Sequence, residues 1–227
     1  MAITAKSIID KAATQLLDVS GVRWTRAELL GWVNAGQRAI ALVQPTAANK
    51  VVVHKLVAGA KQQLPADGWM LLDVYMSMGA TGETPGRSVR VISRNLLEAF
   101  DPNWYNAKPT TAPTQYLYDL QDQRTFWVYP PNDGTGYLQL NYAQTPADLT
   151  AETDNITILD IYELALLYCV LSIACAKDAE YAPGVALSQM YAGMFSTLVG
   201  SKDASEKTNT PNQSLAPYNP SVSGSNT

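Results

Sequence analysis

Histidine, cysteine and long basic runs are nearly missing from this sequence, and each shortage excludes a class of site. One histidine and two cysteines in 227 residues are too few for a zinc site, which needs three or four clustered ligands. No run of Lys or Arg is longer than two residues, and the formal net charge is −4, so the basic stripe of a dedicated nucleic-acid-binding protein is missing. We therefore expect no zinc centre and only weak or repulsive contact with DNA.

A secretion signal and a membrane-spanning segment are missing as well. Residues 1–10 lack the basic stretch followed by an apolar stretch that marks a secretory signal. The most apolar segment, residues 164–176, is well short of the ~20 residues that span a bilayer. Its two cysteines, Cys169 and Cys175, point to different faces of one predicted helix and so cannot form a disulfide within it. We expect a soluble protein made in the cytoplasm, with both cysteines as small apolar residues.

The few residues that resemble catalytic groups are better explained by structure. His54 lies on a predicted strand, and the chain has no Gly-x-Ser-x-Gly turn to expose a nucleophile. Asp119 and Asp122 are the nearest approach to a glycosidase pair, but both lie at a predicted hairpin tip, where Asp favours turns. The glycines of residues 79–86 are not followed by Lys-Ser or Lys-Thr at a helix start, so they form no phosphate-binding loop. We predict that the protein is not an enzyme and holds no cofactor.

Apolar residues repeat at helical spacing near both ends of the chain. Residues 25–43 open with a capping box, Thr25 with Glu28, and continue as an amphipathic helix. Residues 160–177 are apolar nearly all round, so we expect this helix to be enclosed. A helix capped by Thr4 and another that begins near Pro183 make about four main helices. The predicted seams are Leu29, Val33, Gly36, Ile40 and Val43; Ile161, Leu164, Tyr168, Leu171 and Cys175; and Leu187, Met190, Tyr191, Met194 and Leu198.

Between these helices the apolar period changes from about 3.6 to 2. Further alternating runs, separated by turn signals such as Asn132-Asp133-Gly134, predict a small antiparallel sandwich or barrel. Residues 93–100 read as a short helix within it. The clearest alternation places Met70, Leu72, Val74, Met76 and Met78 on one face and Trp69, Leu71, Asp73, Tyr75 and Ser77 on the other.

The sequence therefore predicts an α+β fold with three parts. Residues 1–48 and 156–200 form a helical bundle from the two ends of the chain, and residues 49–155 form the inserted β domain. Residues 201–227 are rich in Ser, Asn, Pro, Lys and Thr and form an extended C-terminal arm. The arm is either a floppy terminus or a segment that becomes ordered on a neighbouring subunit.

Other features are candidates for binding surfaces. Arg38 is expected to be exposed, because it lies opposite the apolar seam of its helix. Trp104 and Tyr105 lie in residues 101–113, a proline-containing loop that is either an interaction surface or a cap on the β core. Aromatic residues on the predicted strands fit a sugar-stacking platform, although such residues more often pack a sheet core. Carbohydrate binding is therefore an alternative function.

Several segments resemble, in order along the chain, the signatures of one known family. Residues 21–38 resemble the opening segment of tailed-bacteriophage head-to-tail adaptor proteins, also called connector or head-completion proteins. The residues that carry this resemblance are Trp24, Thr25, Glu28, Leu29, Trp32, Asn34, Gly36 and Gln37. Later segments similar to the same family are residues 112–116, 127–131, 164–168 and 176–182. The resemblance covers roughly residues 1–200.

The resemblance implies a structural virion protein at the portal vertex or neck. Such a protein forms a ring, expected to be twelvefold to match the portal, and links the portal to a downstream tail protein, a nozzle or tail tube. Genomic DNA passes through its lumen without specific binding, and an acidic balance suits this because a channel that grips phosphates slows DNA. Synthesis in the host cytoplasm and no membrane association are expected. A carbohydrate-binding or other tail-associated β-sandwich module is the alternative. The expected contact residues are Arg38, Trp104, Tyr105, Leu215 and Tyr218.

Overall fold

The computed structural model describes residues 3–119, 121–177 and 182–209, with the side chains of residues 183–201 in the last range. Within these ranges the α-helices are α1 (Ala5–Gln15), α2 (Arg26–Val43), α3 (Arg94–Phe100), α4 (Glu163–Lys177) and α5 (Ala182–Asn209). The strands are β1 (Asn49–Lys55), β2 (Gly59–Gln63), β3 (Gly68–Ser77), β4 (Arg90–Val91), β5 (Gln115–Tyr118), β6 (Thr125–Asn132) and β7 (Tyr137–Gln144). Short 3-10 helices cover Pro45–Ala48, Trp104–Asn106 and Asp160–Tyr162. The architecture is α+β, as predicted.

Local sequence signals start the first two helices. The Thr4 side chain accepts a hydrogen bond from the Ser7 backbone N–H and so caps α1. At the start of α2, the Thr25 hydroxyl accepts from the Glu28 backbone N–H while the Glu28 carboxylate accepts from the Thr25 backbone N–H. Both partners of the predicted capping box are therefore satisfied, which fixes where α2 begins.

α4 is the centre of the helical core, because α1, α2 and α5 all pack on it. A Cβ atom built on Gly36 of α2 would lie 3.0 Å from Leu166 Cδ2 and 3.4 Å from Cys169 Sγ, so the missing side chain at this glycine leaves room for two side chains of α4. Cys169 and Cys175 are not joined in a disulfide, and Cys175 is buried. Fully or almost fully buried members of this core are Ile8, Ile9, Leu29, Val33, Ile40, Leu166 and Val170.

α5 packs antiparallel on α4 through one side only. The rings of Tyr168 and Tyr191 stack with their centroids 5.9 Å apart. Among the described elements, α4 is the one that α5 contacts extensively, so the opposite side of α5 remains exposed. Much of the stripe predicted for this helix is partly exposed: Met190 is 44% and Met194 is 39% exposed, and Leu187, at 40%, borders a hollow beside Leu171 and Cys175 of α4.

The predicted seams of α2 and α4 are wrong at their outer ends. Val43, at the end of α2, is 60% exposed. Ile161 lies in a 3-10 helix before α4 and is 70% exposed, and Leu164 is 46% exposed. The expectation that α4 is enclosed therefore fails on one side of its first turn, although Ser7 and Lys11 of α1 bond to Glu163 on another side of that turn.

The β region consists of two sheets that share one core. The first has the order β1-β7-β3 and the second β2-β6-β5-β4. β4 and β5 run parallel, so the prediction of a wholly antiparallel region is wrong for this pair. The physical reason is the long connection through α3, which lets the chain cross over and return in the same direction. Buried residues shared by the two sheets include Val74, Phe126, Val128, Leu138 and Leu140.

β3 departs from the strict alternation that its sequence predicts. Leu71, Val74 and Ser77 are buried, although the alternation puts Leu71 and Ser77 on the face opposite Val74. The register between β3 and β7 shifts at three points along the strand. Each extra residue reverses the face to which the following side chains point. The predicted faces of β3 are therefore wrong.

The segment that leads from the β region back to the helices belongs to the helical core. Leu149 is buried in that core, and its backbone exchanges two hydrogen bonds with the Asn34 side chain of α2, at 2.9 and 3.0 Å. The helical part thus includes residues before position 156. At the other limit, α5 continues to Asn209, into residues 201–227 that were predicted to be extended. Residues 210–227 lie outside the described residues.

Candidate functional site

The residues considered as catalytic candidates are not brought together. His54 lies on β1, and the surface hollow beside it has no carboxylate or hydroxyl among its described lining residues. Burial lowers the pKa of its imidazole. Asp119 and Asp122 lie in the turn after β5 and line two different hollows, so they do not flank one cleft as a glycosidase pair does.

Neither a metal-binding cluster nor a membrane-spanning helix is present in the part of the chain that the structure describes. No group of three or more His, Cys, Asp or Glu residues is arranged there to hold a metal ion. None of the described helices is long and apolar enough to cross a membrane. The candidate sites that remain are surfaces and pockets.

Trp104 and Tyr105 form part of one pocket on the second sheet. Their rings stack with centroids 3.7 Å apart in the 3-10 helix Trp104–Asn106, which lies between α3 and β5. Trp104 is 1% exposed and Tyr105 is 45% exposed, so the first caps the β core while the second faces solvent. We call this hollow of about 70 Å³ the aromatic pocket. Its lining residues are Arg94, Trp104, Tyr105, Leu117, Tyr118, Asp119 and Trp127.

The aromatic pocket combines a buried donor with charged groups. Trp104 Nε1 is buried, and no described residue accepts a hydrogen bond from it. Arg94 Nε donates to the Glu98 carboxylate at 2.8 Å, and Arg94 Nη2 donates to the Tyr105 hydroxyl at 3.3 Å. The Asp119 carboxylate accepts from the Gln121 backbone N–H at 2.9 Å. The charges are thus already engaged, whereas the Trp104 indole N–H and the buried Tyr118 hydroxyl, which lines the same pocket, have no hydrogen-bond partner among the described residues.

Three of the aromatic residues on the predicted strands belong to the core and not to a sugar-stacking platform. Tyr116, Phe126 and Tyr142 are buried between the two sheets. The Tyr116 hydroxyl donates to the Asp73 carboxylate at 3.1 Å. Burial, followed by the nearby Asp73 charge, raises the pKa of Tyr116 to about 12. These rings are therefore not available to stack on a sugar.

The loop between α1 and α2 holds apolar side chains on a fixed backbone. The Asp18 carboxylate accepts hydrogen bonds from the backbone N–H groups of Val22, Arg23 and Trp24 at 2.8 to 2.9 Å. These bonds, with that from Trp24 foremost, hold the pKa of Asp18 below its usual value. Three large apolar residues nevertheless face solvent here and are named the loop surface: Leu17, Val19 and Val22, which are 92%, 72% and 85% exposed.

A second exposed apolar surface lies at the opposite end of the α2–α4 pair. The two helices are antiparallel, since Lys177 at the end of α4 forms an ion pair with Glu28 at the start of α2. At the other end, the Leu159 backbone N–H donates to the Ala47 carbonyl at 3.1 Å. The exposed apolar residues at that end, named the end surface, are Leu42, Val43 and Ile161, which are 74%, 60% and 70% exposed.

Arg38 is exposed, as predicted, but it is not free. Its guanidinium forms an ion pair with Asp148, and both side chains are about half exposed. A partner would have to compete with this intramolecular carboxylate. Leu215 and Tyr218, the contact residues predicted in the arm, lie outside the described residues.

The loop surface and the end surface were not predicted from the sequence. A signal for the loop surface exists: Leu17, Val19 and Val22 alternate with Asp18, Ser20 and Gly21, which stop the preceding helix. Apolar residues in a segment that ends a helix do not lie on a helix or strand whose apolar face packs in the core, so they are candidates for exposure. No comparable signal distinguishes the end surface, because Val43 continues the spacing of the buried seam.

Comparison with known families agrees with the resemblance noted in the sequence. A family model described as SU10 adaptor protein matches residues 3–215. A search of curated proteins finds no match to the chain. The family consists of phage head-to-tail adaptors, structural proteins that are not known as enzymes and that are associated with portal and tail components at the virion neck. The match spans most of the chain, which therefore belongs to the SU10 adaptor protein family.

Proposed function

We propose that the protein assembles into a ring beneath the portal, links the portal to the next tail component and leaves a channel for genomic DNA. The adaptor family supports this role. Twelve copies are expected, because the family resemblance implies a ring that matches the portal. Head-to-tail contacts between identical copies form a closed ring when the rotation from each copy to the next brings the last copy back to the first.

The observation that carries this proposal is the loop surface. Its three side chains are 72% to 92% exposed, yet Asp18, which lies between Leu17 and Val19, holds the backbone of Val22 and of the two residues after it through three hydrogen bonds. A preorganised apolar surface loses little conformational entropy when a partner covers it. Exposed apolar groups of this kind are typical of protein–protein contacts.

The end surface supports the same proposal from the opposite end of the α2–α4 pair. A protein that joins two components, or forms head-to-tail contacts with its own copies, needs two different contact surfaces. Leu42 and Ile161 supply apolar groups at a place distinct from the loop surface. We assign the two surfaces to contacts with the portal and with neighbouring copies.

The charge of the chain suits the proposed channel. A formal net charge of −4 does not favour tight binding of phosphates, so DNA can pass without being held. The C-terminal arm, with Leu215 and Tyr218 as anchors, is proposed to fasten the ring to the portal or to a neighbouring copy.

The direct test is cryo-electron microscopy of the protein mixed with the portal from the same genome. The expected result is a second ring on the tail-facing end of the portal. Free portal beside unassembled protein would contradict the proposal.

Matched variants identify the contact surface in that experiment. The double variant Leu17→Asp, Val22→Asp should fold normally by circular dichroism, because both side chains are already exposed, and should fail to join the portal. Leu96→Asp is the control, since Leu96 is 50% exposed on α3, away from the loop surface. If the loop variant forms normal rings on the portal, the loop surface is not an assembly contact.

A further inference from the structure

The aromatic pocket has the composition of a proline-binding site. Its walls include the rings of Trp104, Tyr105 and Trp127, which come from a 3-10 helix and from β6. Domains that bind proline-rich segments use grooves lined by aromatic rings. The hollow holds about 70 Å³, well below the roughly 300–1,000 Å³ of small-molecule sites. It therefore suits one small ring of a peptide, such as that of a proline, better than a whole ligand.

The pocket also contains a hydrogen-bond donor that lacks an acceptor. Trp104 Nε1 is buried and has no partner among the described residues, an unfavourable state for an N–H group. Tyr105 is stacked on Trp104 and is 45% exposed, so it forms the solvent-facing wall of the pocket beside the indole. A peptide carbonyl that enters beside Tyr105 would supply the missing acceptor.

The chain itself contains a segment of matching chemistry. Pro217 and Pro220, with Tyr218 and Asn219 between them, form a Pro-x-x-Pro pattern. Such segments favour the polyproline II conformation, which has no internal hydrogen bonds and leaves its carbonyls free to accept. Residues 210–227 contain no charged side chain, so burying this segment in an apolar pocket removes no charge from water.

The direction of α5 takes this segment towards the β region. Tyr168 stacks on Tyr191, and the Ser188 hydroxyl donates to the Ser172 carbonyl at 2.9 Å, so α4 and α5 run antiparallel. Val199 is buried in the helical core. The end of α5 therefore lies beyond the start of α4. The β region joins the helices at the same end, where the Leu159 N–H bonds to Ala47 just before β1.

The reach of the chain is sufficient to leave its own helical core. From Val199 to Asn209 α5 advances about 15 Å. From Asn209 to Pro217 an extended chain adds up to about 26 Å. The proline segment can therefore reach a second molecule that lies beside the first.

We infer that residues 217–220 of one copy dock in the aromatic pocket of a neighbouring copy. The proline rings pack on Tyr105 and Trp127, and a backbone carbonyl accepts the hydrogen bond from Trp104 Nε1. This inference rests on the proposed function, because the ring brings the neighbouring copy within reach. A short proline segment binds weakly by itself, but tethering it beside its pocket raises its effective concentration to about the millimolar range.

The test uses a fluorescent peptide of residues 212–222 and the full chain with Pro217→Ala and Pro220→Ala, whose own arm does not compete. Anisotropy titration should show saturable binding. Adding Tyr105→Ala should weaken it by about tenfold or more. Tyr75→Ala, at a tyrosine that is 37% exposed on the other sheet, should leave binding unchanged. A peptide with both prolines replaced by alanine should not bind.

The Trp104 indole N–H gives a second readout that does not depend on a pocket variant folding correctly. Its NMR signal should shift when the peptide is added, while the indole signal of Trp24, in the helical part, stays in place. No binding up to about 1 mM, or binding with no shift of the Trp104 signal, would overturn the inference. So would a shift caused by oligosaccharides and not by the peptide.

Peptide binding is measured without the portal, so it separates the two proposals. Rings on the portal without peptide binding would leave the proposed function standing and reject the docking of the arm. Peptide binding without rings on the portal would support the binding of the proline segment to the pocket and reject the proposed ring.

Discussion

Gly36 of α2 and Leu166 of α4 lie so close together that a Cβ atom on Gly36 would be 3.0 Å from Leu166 Cδ2. At that distance a side chain on the glycine must push its neighbour aside. Leu166 is fully buried at the centre of the helical core, so it has little room to move. The contact between the two helices therefore depends on the missing side chain at position 36.

We expect Gly36→Val to lower the free energy of unfolding by about 1–3 kcal/mol, because it overfills a packed contact. Gly31→Ala is the matched control on the same helix. Nothing lies within 4 Å of a Cβ atom at Gly31, so alanine should stabilise α2 by about 0.5–1 kcal/mol. Urea unfolding of both variants checks this, and equal losses would show that space at Gly36 is not limiting.

Asp18 is expected to control the order of the loop surface. Asp18→Ala removes the acceptor for three backbone N–H groups, so amide exchange at Val22, Arg23 and Trp24 should accelerate by about tenfold or more. Asp18→Asn keeps one carbonyl oxygen and should have an intermediate effect. Hydrogen exchange followed by NMR measures each amide. Unchanged exchange in the alanine variant would mean that other contacts hold the loop.

Arg26 links three segments of the helical part. Its ion pairs should make the free energy of unfolding depend on pH in the acid range. Arg26 donates to both oxygens of Glu152 at 2.6 and 2.7 Å, and to Asp10 at 2.7 Å. Arg26 lowers the pKa of Glu152, and Lys6 together with Arg26 lowers that of Asp10. Both carboxylates therefore stabilise the fold fully above their usual pKa values, and this contribution is lost as pH falls through the lowered ones.

Glu152→Gln should therefore destabilise the protein at pH 7, by about 1 kcal/mol or less because these groups are partly exposed. The difference from the unchanged protein should shrink at pH 3. The control is Asp148→Asn, which breaks the more exposed pair with Arg38 and should have little effect at either pH. Urea unfolding at pH 7 and at pH 3 measures the destabilisation of both variants. A Glu152→Gln loss that persists at pH 3 would contradict the electrostatic explanation.

Tyr142 should make the β region sensitive to alkali. Its hydroxyl donates to the Asp67 carboxylate at 2.9 Å, and burial, followed by that bond, raises the pKa of Tyr142 to about 12. Because the folded protein holds this proton more tightly than the unfolded chain, the stabilisation is complete below pH 10. It is lost as pH rises from about 10 to 12.

Tyr142→Phe should cost about 1 kcal/mol at neutral pH by removing the bond to Asp67. It should also flatten the fall in stability between pH 9 and 12, as measured by chemical unfolding. Tyr75→Phe is the control, because Tyr75 is partly exposed and its hydroxyl only accepts from Asn141. An alkaline transition that is the same in both variants would assign it to another tyrosine.

Elements with local signals were predicted well from the sequence. The capping box of Thr25 and Glu28 fixes the start of α2, and Ser93 caps α3 where the short helix was expected. The turn at Gly134 is also present, with a positive φ of 91° that glycine adopts easily. Each of these depends on residues within a few positions of one another.

Features that depend on distant neighbours were not predictable in the same way. The register shifts of β3 are set by its pairing with β7, and the parallel β4–β5 pair is set by a crossover. At the candidate sites, the sequence singled out Trp104 and Tyr105 but left open whether they bind a partner or cap the core. The structure assigns the cap to Trp104 and the exposed position to Tyr105. Asp148, the partner of Arg38, is too far away in sequence to be recognised.

The position of α4 late in the chain has a consequence for how the protein folds as it is synthesised. All seven described strands lie between Asn49 and Gln144, so the ribosome releases the whole sandwich before it releases α4. The apolar sides of α1 and α2 emerge first but must wait for Glu163–Lys177 before they are covered. Nascent chains halted before α4 should therefore carry a folded sandwich attached to two helices whose apolar sides are exposed to solvent. This form is the one most in need of a chaperone.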